Sequence, residues 1–427
     1  MGLSADVHVA DHSRRGVRME LWKIWPALGA VLLVMPFLPG CSDPPGNGYG
    51  EVSEGDSAGV RIVTHPPGRF SDTVGSEPLL TIGQEGVPEY EFFRIQQVGA
   101  LASGNIVVAN GGTRELRFFD PTGRHIRTVG GPGEVPAEFG FLSTFWILPG
   151  DTMAVVDPRR RRLVYFDSAG TFVRGQSFAQ DLTTQSPDSE RPCVFPGLMG
   201  LLSDGTRVTS GWGCMMFQGT EGRRPTVLPV YLVQSGRKEL IREFSASWVW
   251  ERADPEGAEG PYSLIPFSAG LTREVSGNRV FVSEGSEFEI DIFDGQGRHV
   301  GSFREDTLPP RVTSEDRERY IRERAGTRRP HPNDVPFPDR FGAYLSLMRA
   351  HEGDLWARRY SRPGDTLQHW VVFSPDGLEI TRIVLPDFRM ESVRDGKLYG
   401  HRSDSLGIQT VVVLDGSHVG KSRGEGM

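Results

Sequence analysis

The strongest constraint on this chain is a short unit built around two glycines. Gly104-Asn105-Ile106-Val107-Val108-Ala109 opens on a glycine turn and runs into β-branched residues. After a polar break, Leu116-Arg117-Phe118-Phe119-Asp120-Pro121-Thr122-Gly123 is an apolar run closed by Asp-x-x-Gly. The first half recurs at Gly150, Gly205, Gly277, Gly353 and Gly396, and the second half ends at Gly170, Gly236, Gly297, Gly377 and Gly416. From first to last glycine the lags are 19, 20, 31, 20, 24 and 20 residues. A repeat at nearly fixed spacing outranks any local propensity, because each copy must be the same supersecondary element.

Each copy supplies strands. An apolar run precedes the first glycine, two lie between the glycines, and a fourth follows the second. Ser103-Gly104-Asn105 and Pro121-Thr122-Gly123 read as hairpin turns in which glycine supplies the positive φ. A four-stranded sheet apolar on both faces cannot stand alone in water; six stacked around an axis bury both faces. The sixth copy has no fourth strand after Asp415. Leu79-Leu80-Thr81-Ile82-Gly83, ahead of the first copy, is the expected replacement, and Val60 to Val63 a further edge strand. The predicted fold is therefore all-β: a six-bladed β-propeller of four-stranded antiparallel blades closed by an N-terminal strand, with one short surface helix. That helix starts at the capping box Thr313-Ser314-Glu315-Asp316 and runs through Arg324.

The N-terminus reads as an export signal. Pro26 to Leu38 is apolar, preceded by Arg14, Arg15, Arg18 and Lys23, and shorter than the ~20 residues of a spanning helix. It ends in Leu38-Pro39-Gly40-Cys41. That segment resembles a bacterial lipoprotein signal, which implies lipidation of Cys41; the other reading is an uncleaved anchor with an incidental cysteine. The expected organisation is an export signal over 1–40, a Pro/Gly-rich flexible tether over 41–58, one propeller over 59–416 and a disordered tail over 417–427. The protein is then exported and lipid-anchored to a bacterial membrane, facing the periplasm or exterior. The net charge of −8 argues against a nucleic-acid partner. Cys193 and Cys214 flank the Ser203-Asp204-Gly205 turn almost symmetrically, which in an exported chain reads as a disulfide.

The repeats resemble six-bladed β-propellers of the NHL-repeat type, and most of all a group of uncharacterised bacterial propeller lipoproteins. In those a loop of pattern G-x-G-E-G-P-G-E-F follows the first blade. Here Gly130 to Phe139 reads GGPGEVPAEF, with Val135 and Ala137 where the pattern has glycine. The resemblance implies architecture and leaves activity open, because propellers host many functions.

Chain topology puts all twelve glycine turns at one end. The joins between strands two and three, and between blades, lie at the other. The long irregular segments (130–139, 175–193, 212–226, 245–267 and 305–340) fall in that second set, so the elaborated end is the expected binding face. The candidate ligand residues are Asp157 with Arg159, Arg160 and Arg161, whose guanidinium forks suit carboxylates or phosphates; Glu134 and Glu138; and Trp248 and Trp250, with Tyr262, which could line a sugar or peptide surface. Each has a bland counterpart: a solvated charged turn, an inter-blade loop, and lid packing. No nucleophile motif, phosphate loop or set of metal-ligand spacings occurs. The chain reads as a monomeric binding or scaffold module for a protein, peptide or carbohydrate, more a binder than an enzyme. No cofactor is expected, although a divalent metal such as calcium stays open. The alternative is a metal-dependent hydrolase or lyase of the lactonase-like propeller type.

Overall fold

The computed structural model describes residues 51–182, 197–210, 220–252, 262–325 and 335–419. The chain enters through β1 (Ser53–Ser57), β2 (Val60–His65), β3 (Asp72–Thr73) and β4 (Leu80–Ile82). Blade 1 is β5 (Ile95–Ala100), β6 (Ile106–Asn110), β7 (Glu115–Phe119) and β8 (His125–Gly130). Blade 2 is β9 (Phe145–Leu148), β10 (Thr152–Asp157), β11 (Arg162–Phe166) and β12 (Phe172–Ser177). Blade 3 is β13 (Gly197–Leu201), β14 (Arg207–Ser210), β15 (Gly222–Gln234) and β16 (Arg237–Glu251), with β17 (Tyr262–Leu264) added. Blade 4 is β18 (Thr272–Ser276), β19 (Arg279–Ser283), β20 (Glu289–Asp294) and β21 (His299–Glu305), followed by helix α1 (Ser314–Arg324). Blade 5 is β22 (Tyr344–Arg349), β23 (Leu355–Arg359), β24 (Gln368–Phe373) and β25 (Glu379–Leu385). Blade 6 is β26 (Arg389–Arg394), β27 (Lys397–Ser403) and β28 (Gln409–Asp415).

Among the described residues these strands form six sheets, one per blade, as the repeat requires. Strand β4 supplies the fourth position of blade 6: Leu80, Thr81 and Ile82 lie opposite Val413, Val412 and Val411. Ile82 is buried there with Val411, Tyr399 and Ile95. Before reaching that blade, the N-terminal segment runs outside two others. Strand β2 pairs parallel with β21, and β3 parallel with β25. The chain is ordered earlier than the expected tether boundary, because β1 pairs with β2 from Ser53↔Thr64 to Ser57↔Val60. At the other end the Val419 N–H bonds the Gly416 carbonyl, and the Val419 side chain packs on the core between blades 5 and 6.

The turns explain the glycine spacing. Asp120 accepts the N–H groups of Thr122 and Arg124, Asp294 those of Gln296 and Arg298, and Gly123 and Gly297 sit at φ 86° and 75°. These aspartates satisfy turn backbone, which explains Asp-x-x-Gly as structure. Gly416 closes no hairpin: its N–H bonds the Gly396 carbonyl, because the N-terminal strand has taken the fourth position. Third-to-fourth strand turns also dock on the preceding blade. The Arg127 guanidinium donates to the Ala169 carbonyl at 2.5 Å, and Gly123 lies against Leu80 and Ile82 of β4.

Two of the segments expected to be irregular are ordered strand. Residues 222–234 and 237–251 pair as one long hairpin, whose distal part rises beyond β14 at the connection end. Alternation hides it in sequence, since one face carries Arg223, Pro225, Trp248 and Trp250 and the other carries Thr226, Val249 and Glu251. Cys41, Cys193 and Cys214, and with them the expected lipid site and disulfide, lie outside the described residues.

Candidate functional site

In each blade the first strand starts at the connection end, and the first strands of blades 3, 4, 5, 6 and 1 lie beside one another in turn, which makes them innermost. In four blades this strand carries a β-bulge in its first half, between Ile95 and Gln97, Leu198 and Gly200, Tyr344 and Ser346, and Met390 and Ser392. A bulge leaves one residue unpaired and re-aims its side chain. The residues so placed are Gln96, Met199, Leu345 and Glu391. Of these only Glu391 can ionise.

Glu391 has a specific surrounding. Arg389 and His401 are direct cross-strand partners in β26 and β27. The bulge brings Glu391 Oε1 within 3.7 Å of His401 Nδ1, and Arg389 Nε ion-pairs with the same oxygen at 2.8 Å. The His401 ring is 4 % exposed, and its Nδ1 has no hydrogen-bond partner among the described residues. Burial pushes the Glu391 carboxyl up to about 7, against the pull of Arg389. Burial, helped by the Arg389 charge, pushes the His401 imidazole down to about 4. At neutral pH the imidazole is therefore uncharged and the carboxyl is poised between its two forms. Such a pair can both accept and donate hydrogen bonds to a neutral polar group. Arg358, on β23, feels the Arg389 charge, and its buried Nε is also without a hydrogen-bond partner among the described residues.

The connection end around this pair is built up over blades 3 to 5. The blade 3 hairpin is held by Arg224 on buried Glu251 at 2.8 Å, and by Ser247 donating its N–H to Thr226 Oγ1 at 2.9 Å. Helix α1 is capped as its sequence predicts: Thr313 Oγ1 accepts the Asp316 N–H, and the Asp316 carboxylate accepts the Thr313 N–H. Tyr320 sits edge-on to Phe267 at 4.9 Å within an aromatic group that includes Phe337, Phe341 and Tyr360.

The residues singled out in sequence fall into two separate places. At the junction of blades 1 and 2, Asp157 is fully buried and accepts the N–H groups of Gly140 (2.9 Å), Phe141 (3.2 Å) and Arg160 (3.2 Å). The Arg160 guanidinium donates to the carbonyls of Glu138 and Gly133, and Arg162 donates to the Glu138 carbonyl. Glu138 accepts the Val135 N–H at 3.1 Å. These groups tie the loop 131–139 onto blade 2. Arg159, Arg161 and Glu134 are exposed. Trp248 and Trp250 lie elsewhere, on β16, with the Arg223 guanidinium 4.1 Å over the Trp248 ring. His401 and Glu391 were not legible as a pair, because only strand register and a bulge bring them together. Among the described residues no group of three or more His, Cys, Asp or Glu side chains could hold a metal ion, and no helix is long and apolar enough to cross a membrane.

Residues 87–188 match the family model DUF5128, described as a 6-bladed beta-propeller. No curated protein matches the chain in sequence. Among solved structures, a Bacteroides fragilis protein named as a candidate exported protein is similar over 81% of this chain and 98% of its own, at 10% identity and a TM-score of 0.42. A member of the DUF4221 family from Bacteroides vulgatus is similar over 80% and 97%, at 11% identity and a TM-score of 0.41. A streptogramin B lyase is similar over 79% and 97%, at 9% identity and a TM-score of 0.37.

Proposed function

We propose that this propeller is an exported, lipid-anchored recognition module that binds a peptide segment of a partner at the connection-end mouth of its channel. The observation that carries the reading is the buried His401 Nδ1, without a hydrogen-bond partner among the described residues and 3.7 Å from the Glu391 carboxyl on the innermost strand. A buried polar atom left unpaired costs about 1–3 kcal/mol, and a ligand that bonds it recovers that cost. The uncharged imidazole and poised carboxyl suit a backbone amide, and exposed apolar side chains at the same end, such as Leu345 on β22, suit the side chains of a peptide. An enzymatic reading of the lyase type needs a metal cluster or a nucleophile, and no observation favours it over binding.

The test is panning of a random peptide library on the immobilised chain, followed by hydrogen exchange with the selected peptide bound. Enrichment, with protection of 389–391 and 399–401, is expected. Failure to enrich any sequence, or protection confined to the glycine-turn end, would overturn the reading.

A further inference from the structure

The connection end of blades 1 and 2 carries exposed apolar and cationic side chains in alternation. Phe93 is 57% exposed, Val135 56% and Phe141 45%. Arg94, Arg159 and Arg161 are also exposed, and Arg114 is half-buried. The Arg94 guanidinium lies 5.0 Å over the Phe93 ring. None of these four arginines has an ion-pair partner among the described residues.

Backbone bonds hold these side chains in one rigid patch. The Phe93 N–H donates to Asn110 Oδ1 at 2.9 Å, and Gly111 and Gly112 donate to the carbonyls of Arg94 and Phe93 at 3.0 and 2.8 Å. Gly131 donates to the Arg114 carbonyl at 2.9 Å, which joins this loop to 131–139. Asp157 then fixes Phe141, and the arginine turn 158–161 follows directly. Arg114 and Arg161 sit at φ 60° and 52°, and Arg94 at 57°. Left-handed backbone is strained at a non-glycine residue, so these outward-facing turns are held in place by their surroundings.

Strand β2 runs parallel to β21, from the glycine-turn side toward the connection side, and β1 is antiparallel to it. Ser53, opposite Thr64, therefore enters on the connection side, at the outer edge of blade 4. Twelve residue steps separate it from Cys41, a span of at most about 43 Å at ~3.6 Å per residue. We infer that the connection end of blades 1 and 2 docks on the anionic surface of the membrane that holds the anchor, with Phe93, Val135 and Phe141 at the headgroup boundary and Arg94, Arg114, Arg159 and Arg161 on lipid phosphates. Aromatic and apolar side chains interleaved with arginine suit that boundary, and each arginine near an anionic surface adds to the attraction. The inference rests on the anchored-module reading, and it adds that the recognised segment is one presented close to the membrane surface.

The test uses the lipidated chain isolated from membranes and reconstituted into phosphatidylglycerol vesicles, compared by hydrogen exchange with the same chain in detergent. Slower exchange of 93–94, 131–141 and 158–161, with turns 121–124 and 295–298 unchanged, is the expected result. In a Phe141→Ser, Arg159→Ser, Arg161→Ser variant that protection should fall by at least tenfold while the protein stays with the vesicles. Equal exchange in vesicles and detergent, protection of the glycine turns, or protection that appears only when membrane proteins are added, would overturn it. The mass of the N-terminal peptide separates the two claims. If Cys41 carries no lipid, the anchor reading fails, and flotation of the unlipidated chain with phosphatidylglycerol vesicles still decides the docking face.

Discussion

Gly377 and Gly236 make a matched test of how the blades lock together. Both are in third-to-fourth strand turns, at φ 85° and 80°. Alanine at either site incurs the left-handed backbone cost, about 1–2 kcal/mol. Around Gly236 nothing lies within 4 Å of an added methyl, whereas at Gly377 that methyl would overlap the Phe303 ring of blade 4. Phe303 is buried against Phe373, with ring centroids 5.7 Å apart, and cannot swing away freely. Forcing an extra methyl into packed surroundings adds about 1–3 kcal/mol. Gly377→Ala should therefore cost about 2–5 kcal/mol and Gly236→Ala about 1–2 kcal/mol, read from urea unfolding midpoints at unchanged slope. Gly170→Ala, whose methyl would sit 2.9 Å from the Phe118 ring, should fall between them. Equal losses at Gly377 and Gly236 would refute the claim that the Gly377 turn is locked against Phe303 of the preceding blade.

Three further outcomes follow from the geometry. Because the native state holds the Glu391 proton up to about pH 7 and the unfolded chain releases it near 4.5, Glu391 makes stability fall as pH rises through that window; His401, held neutral down to about 4 against 6.5 unfolded, makes it rise from 4 to 6.5. Each contribution is up to about 3 kcal/mol at 1.36 kcal/mol per unit, and they oppose one another, so relative to wild type Glu391→Gln should steepen the rise from pH 4 to 6.5 and His401→Gln should steepen the fall from 4.5 to 7, both read by urea unfolding at stepped pH. Glu305→Ala should cost about 3–5 kcal/mol, because it takes the carboxylate from Arg359, whose side chain is 12% exposed, while Arg382 keeps Glu379 as its remaining carboxylate, and a loss under 1 kcal/mol would show that the Arg359 charge is well solvated. Asp157→Ala leaves the N–H groups of Gly140, Phe141 and Arg160 without their acceptor and should cost about 2–4 kcal/mol, with faster exchange confined at first to 131–141.

Much of the fold was legible because it is local and repeated. Turn glycines fix strand ends, and the missing fourth strand of the last repeat pointed to Leu79–Gly83, where β4 is found on β28. What escaped was non-local or two-faced. The blade 3 hairpin reads as broken in sequence because its exposed face mixes Arg, Pro and Trp, although its paired face is regular. The arginine run looked like one cluster, yet the turn splits it, sending Arg160 and Arg162 inward to loop carbonyls and Arg159 and Arg161 outward. Glu391 and His401 are ten residues apart, and only a bulge and a cross-strand register join them.

The most direct test of the recognition site is calorimetry at pH 7 of a library-selected peptide with the wild-type chain and with a Glu391→Gln, His401→Gln variant, using Asp354→Asn at the glycine-turn end as the control. The account predicts at least tenfold weaker binding to the double variant and unchanged binding to the control. Equal affinity for all three would contradict a ligand site at the channel mouth.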